Sequence, residues 1–519
     1  MDASANLETV GESGKKGLKP GALGMLSSVT IGVASTAPAY TMAATLGFIA
    51  AVVGFKSPAI LITVFIPMLM VAAAFAFMNR ADPDCGQSFT WVTHAMGPHI
   101  GWVVGFAAVA AQVIGMGNLT AVGARYMFLL VGWQAGADSS FWVAVGAVAW
   151  LAAMTAVCAL GIEISARTQY VLMGTQLGAI ILFAVVALTR VLVWHPAGSV
   201  TPGLSWFSPF HGISGGAFSS AALLGIFVYW GWDTVLSVNE ESKDKRRLPG
   251  ISAIVSTLTL VATFTLIAVA AQAFHGASFL ANNSDDVLAP LSRSVLGSPL
   301  DRLVLLAVFT SGIASALTTL LPTSRSTLSM ATHGAFPKLF GRTHPRYQTP
   351  FWGTIVVGVA AMAWFVGLTV VSQNTLWDSI AGLGFLVAFT YGFTGFACPI
   401  FYRRRLFKSA RNFLLMGLVP FVGASVLMWA FYRSAVVNAN PANSVSGNSW
   451  FGFGPPFVIG LGVIVVGIVL MFVQWMFTPR FFRRRPQTAE SLAAAMAAGD
   501  GPLAASPDAA TVAEAAETP

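Results

Sequence analysis

Asp233 stands where a carboxylate is least expected. It interrupts the run ALLGIFVYWGWDTVLSVNEE, which is otherwise apolar over its first half. A charge near the middle of a membrane-crossing segment costs ~2.5–3.5 kcal/mol even on insertion scales. The side chain must therefore face a cavity or a partner. Gly231 lies two positions earlier, between the bulky Trp230 and Trp232. A second irregular stretch is SSVTIGVASTAPAYTMAATLGF, where Gly32, Ser35 and Thr36 cluster before Pro38. Proline removes a backbone donor and biases Ala37 away from the helix. Both stretches predict a broken helix with free N–H and C=O groups. At membrane depth such groups are tolerated only where they line a cavity. Their chemistry is ion and zwitterion binding, since half-helix N-termini attract anions and C-terminal ends attract cations.

Other chemistry finds no support. No histidine lies mid-span, the seven histidines form no ligand spacing, and Asp233 has no second carboxylate near it in sequence. An intramembrane enzyme, a bound metal and a cofactor are not expected. Cys85, Cys158 and Cys398 are too few and scattered for a disulfide framework.

The elements that position these residues follow from composition. The 519 residues are 56% hydrophobic and 9% charged, whereas soluble domains carry about 25% charged residues. This excludes an ordinary soluble enzyme and a disordered chain, and makes the bilayer the main partner. Twelve apolar stretches follow one another at about 25–54, 57–78, 100–126, 141–162, 168–189, 217–239, 251–274, 303–330, 351–371, 377–401, 413–432 and 456–477. Each is long enough to cross ~30 Å of hydrocarbon as a helix. The expected fold is an all-α polytopic membrane protein.

The formal charge of +8 is explained by loops rather than by nucleic acid. With twelve spans, 22 of the 28 basic residues fall on the side of the two termini and six on the other. The excess of basic loops marks that side as cytoplasmic, so the expected location is the plasma membrane with both termini inside. The tails, residues 1–20 and 479–519, are read as disordered; the latter is rich in Ala, Pro and Thr beyond its basic start.

Ser35 and Trp230 are 195 residues apart, or five spans. Five is odd, so a second repeat must enter from the opposite face. The expected body is then a first repeat over 21–195, an inverted repeat over 217–402, and two extra helices over 411–478. A lone proline is commonly a kink, and a lone glycine a packing residue. Paired breaks at corresponding positions of two halves instead point to a transporter's central site.

These residues resemble the amino acid–polyamine–organocation permeases over roughly 20–480. The resemblance is carried by GVASTAPAY in span 1, FVYWGWDTVLSVNEESKDKRRLPG from span 6 into the next loop, and TSRSTLSMATHGAFPKLFGRTHPRYQTP after span 8. Span 1 departs from the family's usual G-[ST]-G core. The resemblance implies two inverted five-helix repeats and alternating access. It implies a substrate carboxylate at the amides of Ala34, Ser35 and Thr36, and an ammonium at the carbonyls of Phe227, Val228 and Tyr229, beside Trp230 and Gly231. Phe227 matches an aromatic gate. Many proton-coupled members carry a lysine in span 5, where this chain has Gln176.

Coupling therefore has two readings, with exchange as a third. Asp233 is the protonatable group, or sodium sits between span 1 carbonyls and the span 8 hydroxyls of Ser311 and Ser315. Small residues there are also expected for plain helix packing. The expected function is import of an amino acid, leaning to proton coupling. A polyamine or organic-amine carrier is the alternative, and a non-transporting nutrient sensor the alternative of another class. Arg325 is read as a structural anchor. Gln112 and Asn118 in span 3 lie about 120° apart, so they cannot share one face.

Overall fold

The computed structural model describes residue 18 and residues 21–497 except 210–211, 285, 372–374 and 444–447, with backbone alone at 162–169, 371 and 375–377. Among these residues there is no β-strand. The helices are α1 (Met25–Ser35), α2 (Pro38–Val53), α3 (Ser57–Ala81), α4 (Ser88–Met96), α5 (Pro98–Leu130), α6 (Gln134–Ala137), α7 (Ser140–Leu160) and α8 (Ile162–Trp194). They continue with α9 (Gly215–Val228), α10 (Thr234–Ser237), α11 (Leu248–Asn282), α12 (Leu288–Leu296), α13 (Arg302–Thr332) and α14 (Phe351–Val371). The last are α15 (Thr375–Phe401), α16 (Ala410–Asn412), α17 (Val419–Asn438), α18 (Pro455–Phe477), α19 (Pro479–Phe482) and α20 (Ala489–Ala497).

The chain is an all-α polytopic membrane protein. Ten helical runs among the described residues are long and apolar enough to cross a bilayer. Two features separate this number from the twelve stretches of the sequence. Met25–Ala81 is one continuous run of 57 residues, although it holds both α1–α2 and α3. Gly54, with φ of 57°, turns the chain between them. In the other case the break shortens α9 to 14 residues.

Packing follows the five-span offset. α3 lies on α11, α5 on α13, α7 on α14, α1 on α10 and α2 on α9. Four of the five spans of the first half thus touch the span five places further on, while α8 packs mainly on α13 and α11. α13 and α15 are buried deepest, while α17 and α18 keep most of their surface outward. The outward face of α18 is apolar, with Val465, Val466, Val469 and Phe472 all exposed, which suits contact with lipid.

The end of the chain corrects the sequence reading. Residues 479–519 were expected to be unstructured, yet α19 and α20 pack on the helical body. Phe481 and Phe482 are buried among Phe89, Trp102, Met330 and Met471. The Gln487 amide donates to the His94 carbonyl of α4 at 2.6 Å, and Leu492 is fully buried. Thr488 and Ser491 cap α20 reciprocally: the Thr488 amide donates to Ser491 Oγ at 2.8 Å, and the Ser491 amide to Thr488 Oγ1 at 3.3 Å. This is a capping-box arrangement with serine at the third position. Residues 498–519, and all of 1–20 except Leu18, lie outside the described residues.

Candidate functional site

Both predicted breaks exist, and they touch. α1 ends at Ser35, and Thr36 and Ala37 form the first break before Pro38 opens α2. Ala37 sits in the left-handed region at φ 51° and ψ 62°, which is costly for a residue with a Cβ. The second break runs from Tyr229 to Asp233, between α9 and α10. Gly231 has φ of 112°. A Cβ there would fall 2.7 Å from the Ser35 carbonyl oxygen. The glycine therefore supplies both the backbone angle and the close approach. A hydrogen bond of 2.5 Å between Ser35 Oγ and Thr234 Oγ1 ties the breaks together.

The free backbone groups of the first break are largely spoken for. Thr36 and Ala37 amides turn back to the carbonyls of Val33 and Ala34 at 3.2 and 3.0 Å. Ser315 of α13 donates to the Ser35 carbonyl at 2.6 Å, and Ser311 accepts the Tyr40 amide at 3.2 Å. The two serines that the sequence offered as sodium ligands thus cap opposite ends of one break. One satisfies the C-terminal end of α1 and the other the N-terminal end of α2.

The second break is held differently. Tyr391 of α15 donates its hydroxyl to Asp233 Oδ1 at 2.5 Å and accepts the Gly231 amide at 3.4 Å. Gln87, in the loop before α4, donates to the Asp233 carbonyl at 3.1 Å. Tyr229 and Trp230 amides fold back to Ile226 and Phe227 carbonyls.

Two cavities meet at this junction. The central one is narrow and lies between α1–α2, α5, α9, α13 and α15. Ser35, Thr36, Tyr40, Thr41 and Ser315 form a hydroxyl-bearing wall, and Gly115, Leu119, Phe227, Trp230 and Leu383 an apolar one. The Tyr40 hydroxyl is buried with no partner among the described residues. The second cavity is lined by Asp233, Tyr391, Gln87, Ser88, Gln112, Thr323, Ser326 and Thr390 among others. Trp230 lines both, so its indole is the partition between them.

The residues predicted for the site divide accordingly. Ser35, Thr36, Phe227, Trp230 and Ser315 line the central cavity. Ala34 and Val228 are completely buried and do not line it. Tyr229 points away, its hydroxyl donating to the Leu61 carbonyl at 3.0 Å. Gly231 acts through its backbone. Asp233 opens into the second cavity, not the first. Gln176 is completely buried in α8, and neither its amide oxygen nor its nitrogen has a hydrogen-bond partner among the described residues. Such an orphaned amide is unusual and calls for a water or ion beside it. Gln112 and Asn118 part as their angle required: Gln112 reaches the Asp233 cavity, while Asn118 pairs with Ser379 at 2.8 Å.

Sequence reasoning missed Tyr391 and Gln87, which come from distant elements with no local signal. It also gave no role to three further acids. Asp82, Asp84 and Glu241 are buried. Glu241 pairs with Arg325 at 2.5 Å, with both side chains inside the protein, so the anchoring role of Arg325 has a specific partner. Asp84 accepts from Ser329 and faces His333, and Asp82 lies 3.1 Å from His94.

A polytopic helical body with two half-helix breaks that touch beside a central cavity defines a transporter of the permease class. The chain belongs to the amino acid permease family, whose pattern matches residues 23–478. It is 23% identical over 415 residues to the methylthioribose transporter of Bacillus subtilis, covering 76% of this chain and 83% of that one. It is 22% identical to the low-affinity putrescine importer PlaP of Escherichia coli, covering 83% and 91%. With the branched-chain amino acid permease BcaP of Lactococcus lactis it shares 23% identity, over 60% and 69%.

Proposed function

We propose that this permease imports an amino acid across the plasma membrane by alternating access, with a proton as the coupling ion. Twelve crossings, counting α1–α2 and α9–α10 as one broken span each, put both termini in the cytoplasm under the 22 to 6 division of basic residues. The carrying observation is the central cavity itself. It is bounded by two half-helix ends and five hydroxyl side chains, and no charged side chain lines it. A zwitterion fits such a wall, because half-helix ends supply partial charges of both signs.

The proton reading rests on the second cavity. Asp233 opens beyond Trp230, next to the loop before α4 and Ser326 near the end of α13. Under the basic-loop orientation both belong to the cytoplasmic half. Asp233 and the central cavity thus lie on different sides of Trp230, which lines both cavities. Engagement of Ser311 and Ser315 with the backbone of the first break leaves the sodium reading less support. A polyamine or organic-amine carrier, or an exchanger without an ion, is the alternative. The sequences of PlaP and the methylthioribose transporter make putrescine and methylthioribose the right comparison compounds.

The test is uptake into proteoliposomes under an imposed proton or sodium gradient, with amino acids, putrescine and methylthioribose offered in turn. Concentrative, proton-driven uptake of an amino acid is expected. Flux of putrescine or methylthioribose alone transfers the proposal to that class. Binding without flux, under either gradient or by exchange, assigns the protein to the sensors.

A further inference from the structure

We infer that the transported amino acid has a small, uncharged, apolar side chain, and that Gly115, Leu119 and Leu383 set its upper size; this rests on the amino acid reading above. The central cavity is polar on one wall only. The hydroxyls of Ser35, Thr36, Thr41 and Ser315 and the ends of α1 and α2 lie together, so the substrate's charged head belongs there. The opposite wall offers Gly115, Leu119, Leu383 and the rings of Phe227 and Trp230, with no donor or acceptor side chain except the indole N–H.

A charged side chain placed on that wall would be desolvated without a counter-charge, which is strongly unfavourable. The nearest candidate counter-charge, Asp233, opens into the other cavity and is held by Tyr391. A diamine meets the same obstacle at its second ammonium. Chemistry therefore excludes lysine-like, glutamate-like and polyamine substrates from this wall, and favours aliphatic ones.

Size is set by contact. A Cβ on Gly115 would lie 2.5 Å from the Trp230 ring and 3.7 Å from Leu383 Cδ1. The indole thus packs directly on the α5 backbone, leaving no depth behind it. Leu383 and Leu119 complete the apolar lining, and Leu383 is fully buried. Hydrophobic pockets of this kind discriminate by about 10–200-fold per methylene.

Binding to the purified protein, followed by thermal shift and by competition against a labelled aliphatic amino acid, tests this. Alanine, valine and leucine should bind at least ~10-fold more tightly than lysine, glutamate, phenylalanine and putrescine. Leu383→Ala and Leu119→Ala should each raise the phenylalanine-to-valine affinity ratio by ~10-fold or more. Lysine, glutamate or putrescine binding as well as valine to the unaltered protein overturns the inference while leaving it a permease of amines. An unchanged ratio in both variants overturns the assignment of the size-setting residues. Failure of every amino acid to bind overturns the amino acid reading, and this inference with it.

Discussion

The two breaks do the same geometric work by opposite means. The first is short and over-determined: one left-handed alanine, one proline, and a serine of α13 on each freed end. The second spans five residues, turns on glycine, and is held by a tyrosine hydroxyl and a glutamine amide from other elements. One is capped by neutral groups that cannot titrate. The other places its single acid, a group that can take up a proton, in a hydrogen bond to Tyr391. The contrast assigns them different duties. Under the proposed function, the first break is a fixed wall for the substrate head. The second is the part with something to switch, and Trp230 carries the consequence into the substrate cavity.

The largest expected effect falls on the acid. Asp233→Asn keeps an oxygen to accept from Tyr391 while removing the titrating charge. Proton-driven accumulation in proteoliposomes should vanish, and exchange of unlabelled for labelled substrate should continue. Unchanged accumulation would sink the idea that the second break carries the proton. Next is Gly231→Ala, which forces a Cβ to within 2.7 Å of the Ser35 carbonyl and strains φ by roughly 1–3 kcal/mol. Initial uptake rate should fall about 10- to 100-fold. A variant with normal uptake would show that the breaks need not touch.

The serine caps should matter less and act on stability before transport. Removing one hydroxyl leaves a buried backbone group unpaired, at about 1–3 kcal/mol. Ser315→Ala should cost more than Ser311→Ala, because the Ser315 bond is shorter, 2.6 against 3.2 Å. Melting of the detergent-solubilised protein compares them. If sodium, but not potassium, raises the melting temperature of the unaltered protein and not of the serine variants, the first break holds an ion after all.

How much of this was legible depended on whether a residue's effect is local. Pro38 and Gly231 act through their own backbone, so both breaks and the five-span offset could be read along the chain. Asp233 was found by its cost, but its direction was not. Which cavity a side chain enters depends on the turn taken within a non-helical segment, and no periodicity predicts that. Tyr391 stands 158 residues from its partner, beyond any spacing rule. The burial of Glu241 was hidden for a related reason: its partner Arg325 lies 84 residues away. In α20 the failure was of another kind. Thr488 and Ser491 lay in plain view as a capping pair before an alanine-rich segment, but the polar composition of the tail outweighed them.

The smallest effect is the most discriminating between the two breaks. Ala37 and Gly231 both have positive φ, at 51° and 112°, so their reciprocal exchanges can be compared. Ala37→Gly relieves left-handed strain worth roughly 1–2 kcal/mol, and loses about 0.4–1 kcal/mol through the freer unfolded chain. The net is a gain of about 0–1.6 kcal/mol, so stability should be equal to or modestly above that of the parent. Ala37 is buried and its hydrogen bonds are backbone ones, from its amide to Ala34 and from Thr41 to its carbonyl; glycine retains both. Pro38 and the two serines then hold the first break unaided, and uptake should be essentially unchanged. A large loss of uptake with stability intact would mean that the alanine restrains motion at the first break, and that this break also switches.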